Sequence, residues 1–242
     1  MRFAGLAAAG LVALSVPPDS AKPEKEELWA GHELIIGART VPILGTLETR
    51  TEIFEIARVV RTDDEIRLVQ QKCKLEIARF AGVHVFFLPE GIPKMPPSTF
   101  AFRKKGDRWE TDPWETTWST EDVDGDGKPG ATVTVDAPIC GGTVYVGSRS
   151  RSIARGKLVD GGLRGELRAS VSQKILETSG GCIGLVAKDT EEKVGGNFAY
   201  TPVPAGTTCE TLLAKGWPIH ADPPPRQEAQ PSKPKDPKLR PR

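Results

Sequence analysis

The chain is poor in the residues and motifs that most often mark an enzyme. Its 242 residues include only three histidines, His32, His84 and His220, which lie far apart. It has no HExxH spacing of a zinc protease, no GxSxG nucleophile elbow and no Walker loop. A catalytic triad can be assembled from distant residues, so the enzyme class stays open without any motif that favours it.

An excess of charge of one sign is also lacking. The chain has 33 Lys and Arg residues against 32 Asp and Glu residues, a net charge of +1. This balance gives no reason to expect a nucleic-acid partner. After the first residues, no apolar run approaches the roughly 20 residues of a membrane-spanning helix. We therefore predict no transmembrane segment in the mature protein.

The first residues have the pattern of a secretory signal peptide. Arg2 supplies a positive charge, residues 3–16 are small and apolar, and residues 17–21 break the run. This pattern predicts cleavage near Ala21 and a periplasmic or secreted protein. An uncleaved membrane anchor is the alternative. About 220 residues remain after cleavage, enough for one domain with a sizeable core.

Cysteine is scarce, but its count is even: Cys73, Cys140, Cys182 and Cys209. In an exported chain this predicts two disulfides, for which three pairings exist. We expect Cys73–Cys140 and Cys182–Cys209. A metal cluster is disfavoured because no two cysteines have the close spacing of a CxxC knuckle.

Two hairpins dominate the pattern of the remaining chain. The first joins residues 52–60 to 66–69 through the turn at 62–64, and a change of alternation at 69–71 predicts a β-bulge. The second joins residues 142–155 to a strand around 163–171. Arms this long favour an all-β fold, either a single antiparallel, lipocalin-like β-barrel or a curled β-sandwich.

The composition predicts four regions along the chain. Residues 1–21 are the signal peptide, 22–27 a flexible charged lead-in and 28–221 the β domain. Residues 222–242 are rich in Pro, Lys and Arg and predict a disordered tail. Within the domain, four prolines in residues 89–97 predict a surface crossing without regular structure.

The segment from Asp122 to Gly130 has the pattern of a calcium-binding loop. Asp122, Asp124 and Asp126 alternate with small residues, and Gly127 follows at the position of the sharp turn. Side chains at positions one, three and five of such a loop converge on one ion. An alternating strand pattern follows the loop, so this is a calcium loop that enters a strand rather than an EF-hand.

The expected ligands are the three aspartates and the carbonyl of Lys128, with water or a distant acid completing the shell. Glu115 and Glu121 are the nearest candidates for that acid. So few ligands predict a structural ion of modest affinity, with a Kd on the order of 10⁻⁴–10⁻³ M. The alternative is an unmetallated turn rich in Asp and Gly.

Three tryptophans, Trp109, Trp114 and Trp118, precede the loop. They could form an aromatic platform for a small ligand at the mouth of a barrel, although packing in the core is the simpler role. Trp29 and Trp217 lie near the two ends of the domain, and we expect them to help tie those ends together.

Arg149, Arg151 and Arg155 share one face of the second hairpin. They could bind an anion, but a solvated face paired with acids on neighbouring strands is favoured.

The loop and the segments after it carry a resemblance. The residues are Asp122–Val135, Cys140, Gly142–Ser152 and the late Thr208-Cys209. In this order they resemble a group of uncharacterised exported proteins of myxobacteria and related Gram-negative bacteria that share a DxDGDGxPG loop. The resemblance covers most of residues 41–213 and implies no activity.

Three functions remain open. The leading hypothesis is a non-catalytic exported β module that is stabilised by Ca²⁺ and has a binding or structural role. The second is a lipocalin-like barrel that binds a small apolar ligand, and the third is a secreted hydrolase.

Overall fold

The computed structural model describes residues 26–41, 45–180 and 182–223. The predicted signal peptide and the tail after residue 223 lie outside this part of the chain. Glu26 and Glu27, expected in the flexible lead-in, already belong to the first strand. The strands are β1 (Glu26–Val41), β2 (Gly45–Arg61), β3 (Glu65–Ile77), β4 (His84–Phe87), β5 (Ser98–Lys105), β6 (Arg108–Thr111), β7 (Trp114–Trp118), β8 (Ala131–Asp136), β9 (Gly142–Val159), β10 (Gly162–Ser179) and β11 (Thr190–Val203).

Two short helices accompany the strands: α1 (Ile183–Val186) and α2 (Cys209–Lys215). Neither helix is long and apolar enough to cross a membrane, and these are the helices of the described residues. The proline-rich crossing contains a single 3₁₀ turn, Ile92–Lys94, in which Pro93 has no backbone N–H to donate.

Eight strands close into a ring, which confirms the all-β prediction. The order is β10-β11-β1-β2-β3-β5-β6-β9, and β9 pairs back with β10. All neighbouring strands are antiparallel. The 18-residue strand β9 pairs with β10 along one edge, and along its other edge it meets β6, β7 and β8 in turn. Strand β4 extends the sheet beyond β8. This arrangement is a barrel with an added flap that carries the Asp-rich loop.

Both predicted hairpins are present, as β2–β3 and β9–β10. The predicted change of phase in β3 also occurs, but further along the chain than residues 69–71. Cys73 is the extra residue, since Lys72 pairs with Glu55 while Lys74 pairs with Phe54. The bulge re-aims the strand and turns Cys73 towards α2.

Large apolar side chains pack inside the barrel. Trp29, Phe102 and Tyr200 are among the fully buried ones. The cluster around them is the main core and contains Trp29, Ala57, Val59, Ile66, Leu68, Phe100, Phe102, Trp109, Ala154, Leu163, Leu167, Phe198 and Tyr200. Alternate residues of each strand supply it, as the period of a strand requires.

Gly31 in β1 makes room for the ring of Tyr200. A Cβ atom at residue 31 would lie 2.2 Å from Cε1 of Tyr200. Because that ring is fully buried, it cannot yield. We expect Gly31→Ala to destabilise the protein by about 1–3 kcal/mol, the usual cost of overpacking, as measured by urea unfolding. Gly195→Ala is the control, since its Cβ would meet only a carbonyl at 3.7 Å. Equal effects of the two substitutions would contradict this account.

Two disulfides join the four cysteines, but in a different pairing from the predicted one. Cys73 bonds Cys209, and Cys140 bonds Cys182. The pairing of Ser179 with Thr143 brings the end of β10 to the start of β9, which places Cys182 beside Cys140. Residues distant in sequence become neighbours through the barrel, which spacing alone could not reveal.

The residues after α2 form a strap, defined here as residues 217–222, on the outer face of the barrel. Trp217 donates its indole N–H to the carbonyl of Gly31 at 2.9 Å, which confirms that it ties the end of the domain to β1. Ile219 and Ala221 are buried against Leu34 and Ala199. The side chain of Asn197 donates to the carbonyl of Asp222 at 2.9 Å.

Candidate metal centre

The Asp-rich loop is closed at its base by the backbone. The N–H of Gly130 donates to the carbonyl of Glu121 at 2.8 Å, and the N–H of Val123 donates to the carbonyl of Gly130 at 3.1 Å. Strand β8 begins at the next residue, Ala131. The loop therefore enters a strand, as predicted, and its ends are held together by the fold.

Three carboxylates converge within this loop. Asp122, Asp124 and Asp126 each offer an oxygen, and the three oxygens lie within 4.8 Å of one another. This spacing suits a single hard cation with oxygen ligands. Among the described residues, the cluster consists of these three side chains. They could hold a metal ion.

Backbone donors organise the first carboxylate. Asp122 accepts from the N–H of Gly125 at 2.6 Å and from that of Gly127 at 2.8 Å. Chiefly the bond from Gly127 keeps the pKa of Asp122 below its ordinary value, so this group stays charged. Gly125 and Gly127 have φ angles of 75° and 81°, which residues other than glycine rarely adopt.

Asp124 is the most informative residue of the cluster. It is only 3% exposed, and its Oδ2 accepts from the N–H of Thr132 at 2.7 Å. Its Oδ1 is buried and has no hydrogen-bond partner among the described residues. Burial, reinforced by the charges of Asp126 and Asp122, raises the pKa of Asp124. An unpaired buried carboxylate oxygen is costly, and a cation at this point would compensate it.

Asp126 completes the cluster from the solvent side. It accepts from the N–H of Lys128 at 2.8 Å and from the hydroxyl of Thr132 at 2.6 Å. The ammonium group of Lys128 lies 5.6 Å from the centre of the Tyr145 ring. A contribution from the carbonyl of Lys128 stays a prediction.

The two acids expected to complete the shell lie elsewhere. Glu115 on β7 accepts from Arg149 on β9 at 2.8 Å, so it serves a surface ion pair. Glu121 is exposed and contributes its carbonyl to the base of the loop. Neither side chain belongs to the cluster of three aspartates.

The proline-rich crossing supports the loop from below. Val123 is buried with Met95 and Ala131, and Trp118 packs against this group. Gly91 lies so close to Asp124 that a Cβ there would be 2.9 Å from the Cβ of Asp124. The backbone of the loop is therefore packed against a hydrophobic cluster and against the proline-rich crossing.

The three tryptophans serve packing roles in the structure. Trp109 is buried in the main core, and Trp114 stacks on Phe100 with ring centres 4.5 Å apart. Trp118 packs against Phe87 beneath the loop. They are divided between two hydrophobic clusters, so an aromatic platform gains no support from this arrangement.

The arginines of β9 face acids on neighbouring strands. Arg149 pairs with Glu115 at 2.8 Å, and Arg155 pairs with Glu166 at 2.7 Å. Arg151 is exposed on the same face. The pairing supports a solvated outer face rather than an anion site.

An acidic pair inside the barrel was missed by sequence reasoning. Glu55 is 2% exposed and accepts hydrogen bonds from the amide of Gln70 and the hydroxyl of Tyr200. The half-buried Glu33 lies beside them, 3.4 Å from the same hydroxyl. A signal was available, since Glu55 shares the inward face of β2 with Ala57 and Val59.

Burial is the main cause of the raised pKa values of Glu55 and Glu33. It raises the pKa of Glu55 well above its ordinary value, and the charge of Glu33 adds to this effect. Burial also raises the pKa of Glu33, although the ammonium group of Lys72 opposes the rise. The two carboxyl groups therefore keep a proton to higher pH than ordinary glutamates do, and a protonated carboxyl can donate a hydrogen bond as well as accept one.

A cleft of about 810 Å³ lies between β3, β4, the 3₁₀ turn and α2. His84 and the acids Glu52, Glu76 and Glu210 line it. Glu52 is engaged by His32 and Arg50, while Glu76 pairs with Lys74 at 2.6 Å. The ring of His84 packs against Phe86, with centres 4.8 Å apart. The contacts of Glu52, Glu76 and His84 give no support to a catalytic dyad in this cleft.

Comparison with known proteins adds no family. No protein-family model matches the chain, and no curated protein is significantly similar to it. The resemblance to exported proteins with a DxDGDGxPG loop therefore stays a prediction.

Proposed function

We propose that the protein is an exported, non-catalytic β module whose Asp-rich loop holds a structural Ca²⁺ ion. The observation that carries this proposal is the buried Oδ1 of Asp124, which has no hydrogen-bond partner among the described residues and lies beside two further carboxylates. A divalent cation there would relieve the repulsion among three like charges. Asp122, Asp124 and Asp126 would supply the ligands, with water completing the shell.

The donor set favours Ca²⁺ over softer metals, because all three side chains offer carboxylate oxygen. The two disulfides are consistent with an oxidising, extracytoplasmic compartment, where calcium is abundant enough for sites of modest affinity. The ion would fix the loop at the start of β8 and so stabilise the flap formed by β8 and β4.

We expect millimolar Ca²⁺ to raise the melting temperature of the oxidised protein, and Asp124→Asn to abolish that rise. With a Kd on the order of 10⁻⁴–10⁻³ M, 10 mM Ca²⁺ would add about 1.4–2.7 kcal/mol to the free energy of unfolding. The measurement is a pair of thermal melts in Ca²⁺ and in EGTA.

Asp63→Asn is the matched control, since Asp63 is an exposed acid in the β2–β3 turn. It should keep the response to Ca²⁺. A parallel melt in Mg²⁺ tests the identity of the ion, because Mg²⁺ requires a near-ideal octahedral site. Identical melts of the unmodified protein in Ca²⁺ and EGTA would remove the proposal.

A further inference from the structure

We infer that the strap formed by residues 217–222 is a pH-sensitive latch: the neutral imidazole of His32 is one of the groups that hold it on the barrel, and protonation of that ring favours its release. The strap is the segment by which the end of the domain docks on β1 and β11.

The hydrogen bonds of His32 define its protonation state. The ring is 2% exposed, and its Nδ1 lies 2.9 Å from the backbone nitrogen of Ala221 in the strap. A backbone N–H can only donate, so Nδ1 must carry no proton. Nε2 lies 3.1 Å from a carboxylate oxygen of Glu52 and therefore donates to it. Both bonds are satisfied only by the neutral ring.

Protonation would break one of these bonds. The imidazolium ion has an N–H at both nitrogens and no acceptor. Nδ1–H would then face the N–H of Ala221, and two donors would meet in a buried position. The bond to Glu52 would become stronger, but it lies on the barrel and does not hold the strap.

Charged groups around His32 oppose one another. On β2, Glu52 favours the imidazolium form and Arg50 disfavours it. The ring of His220, in the strap, has its centre 5.0 Å from that of His32 and also disfavours the imidazolium form. On β11, the residue that pairs with His32 is the uncharged Ala199. Burial is the largest effect, and the pKa of His32 is lowered from its ordinary value of about 6.5.

The sign of the pH effect follows from this lowered pKa. The unfolded chain binds a proton more readily than the latched form does. The stability that the latch contributes is therefore present above about pH 6.5 and is lost as the pH falls through the lower, folded value.

Release would stay local because the strap is short and its anchor is covalent. The bond between Cys73 and Cys209 tethers α2 to β3, so only the residues after α2 can leave. Their departure would uncover the outer apolar face around Leu34, which Ile219 and Ala221 now bury.

The experiment follows the His32 ring and the Ala221 amide by NMR in the oxidised protein between pH 7.5 and 4.5. We expect the protection of the Ala221 amide from hydrogen exchange to fall about tenfold, as the loss of one hydrogen bond predicts. Its midpoint should coincide with the titration of the His32 ring. Trp217 fluorescence should change over the same range.

Two variants separate the latch from general acid unfolding. In His32→Gln, the amide can donate to Glu52 and accept from Ala221 without titrating, so the transition should vanish. In His220→Gln, the transition should persist and move to higher pH, since the repulsion from His220 is removed. Constant protection of Ala221 down to pH 4.5, or midpoints that differ between Ala221 and His32 in the unmodified protein, would overturn the inference.

Discussion

Raising the pH above about 4.3 is expected to weaken the barrel through Glu55. This carboxyl is buried, and its pKa in the folded protein is raised well above the ordinary value. The unfolded chain releases the proton first, so the extra stability is fully present below the ordinary pKa and is lost as the pH rises through the folded value. In that window the free energy of unfolding should fall by about 1.4 kcal/mol per pH unit.

Glu55→Gln isolates this contribution. The amide keeps the shape of the protonated acid, and its N–H₂ can still donate to Glu33. We therefore expect the variant to gain stability relative to the unmodified protein as the pH rises, measured by urea unfolding at a series of pH values. Taking the difference between the two proteins removes effects that they share, such as the titration of His32. Glu191→Gln, at an exposed site on β11, should show no such gain. A difference that stays constant across the range would contradict the buried proton.

Removing the disulfide between Cys73 and Cys209 is expected to cost more than removing the other one. The cysteines are separated by 136 residues, against 42 for Cys140 and Cys182. In the chain-entropy description, these loops correspond to about 5 and about 4 kcal/mol. The paired replacements Cys73→Ser with Cys209→Ser, and Cys140→Ser with Cys182→Ser, should rank in that order in denaturant unfolding.

The second pair is the matched control, because it removes the same number of sulfur atoms. The strap provides a further readout. Without the Cys73–Cys209 bond, α2 loses its anchor on β3, and Trp217 should become more accessible to a soluble quencher. An equal loss of stability in both double variants, with Trp217 still protected, would contradict this role.

Local features of the fold were readable from the sequence. The two hairpins follow from alternation and from the turn residues between them. The Asp-rich loop was found because its three carboxylates lie within five residues, so their convergence depends on one turn. The burial of Asp124, whose Oδ1 has no partner among the described residues, depends on the proline-rich crossing, which is distant in sequence, and could not be foreseen.

Features that depend on barrel closure were missed or misplaced. The disulfide pairing was wrong because Cys182 and Cys209 are brought to their partners by the order of the strands in the barrel. The bond between His32 and Ala221 joins residues 189 positions apart. Glu55 was an exception, since its position among Ala57, Val59 and Ile53 already placed a carboxyl on the inward face of β2. That signal was local and was overlooked.

The pairing of β1 with β11 has a consequence for how the chain can be made. β1 precedes the other described strands in the chain, yet one of its edges must wait for residues 190–203. Cys73 likewise waits for Cys209. Most of the domain must therefore be delivered before the ring can close, and until then β1 presents an open edge that invites mispairing. Closure of the ring and formation of the bond between Cys73 and Cys209 therefore depend on residues 190–209.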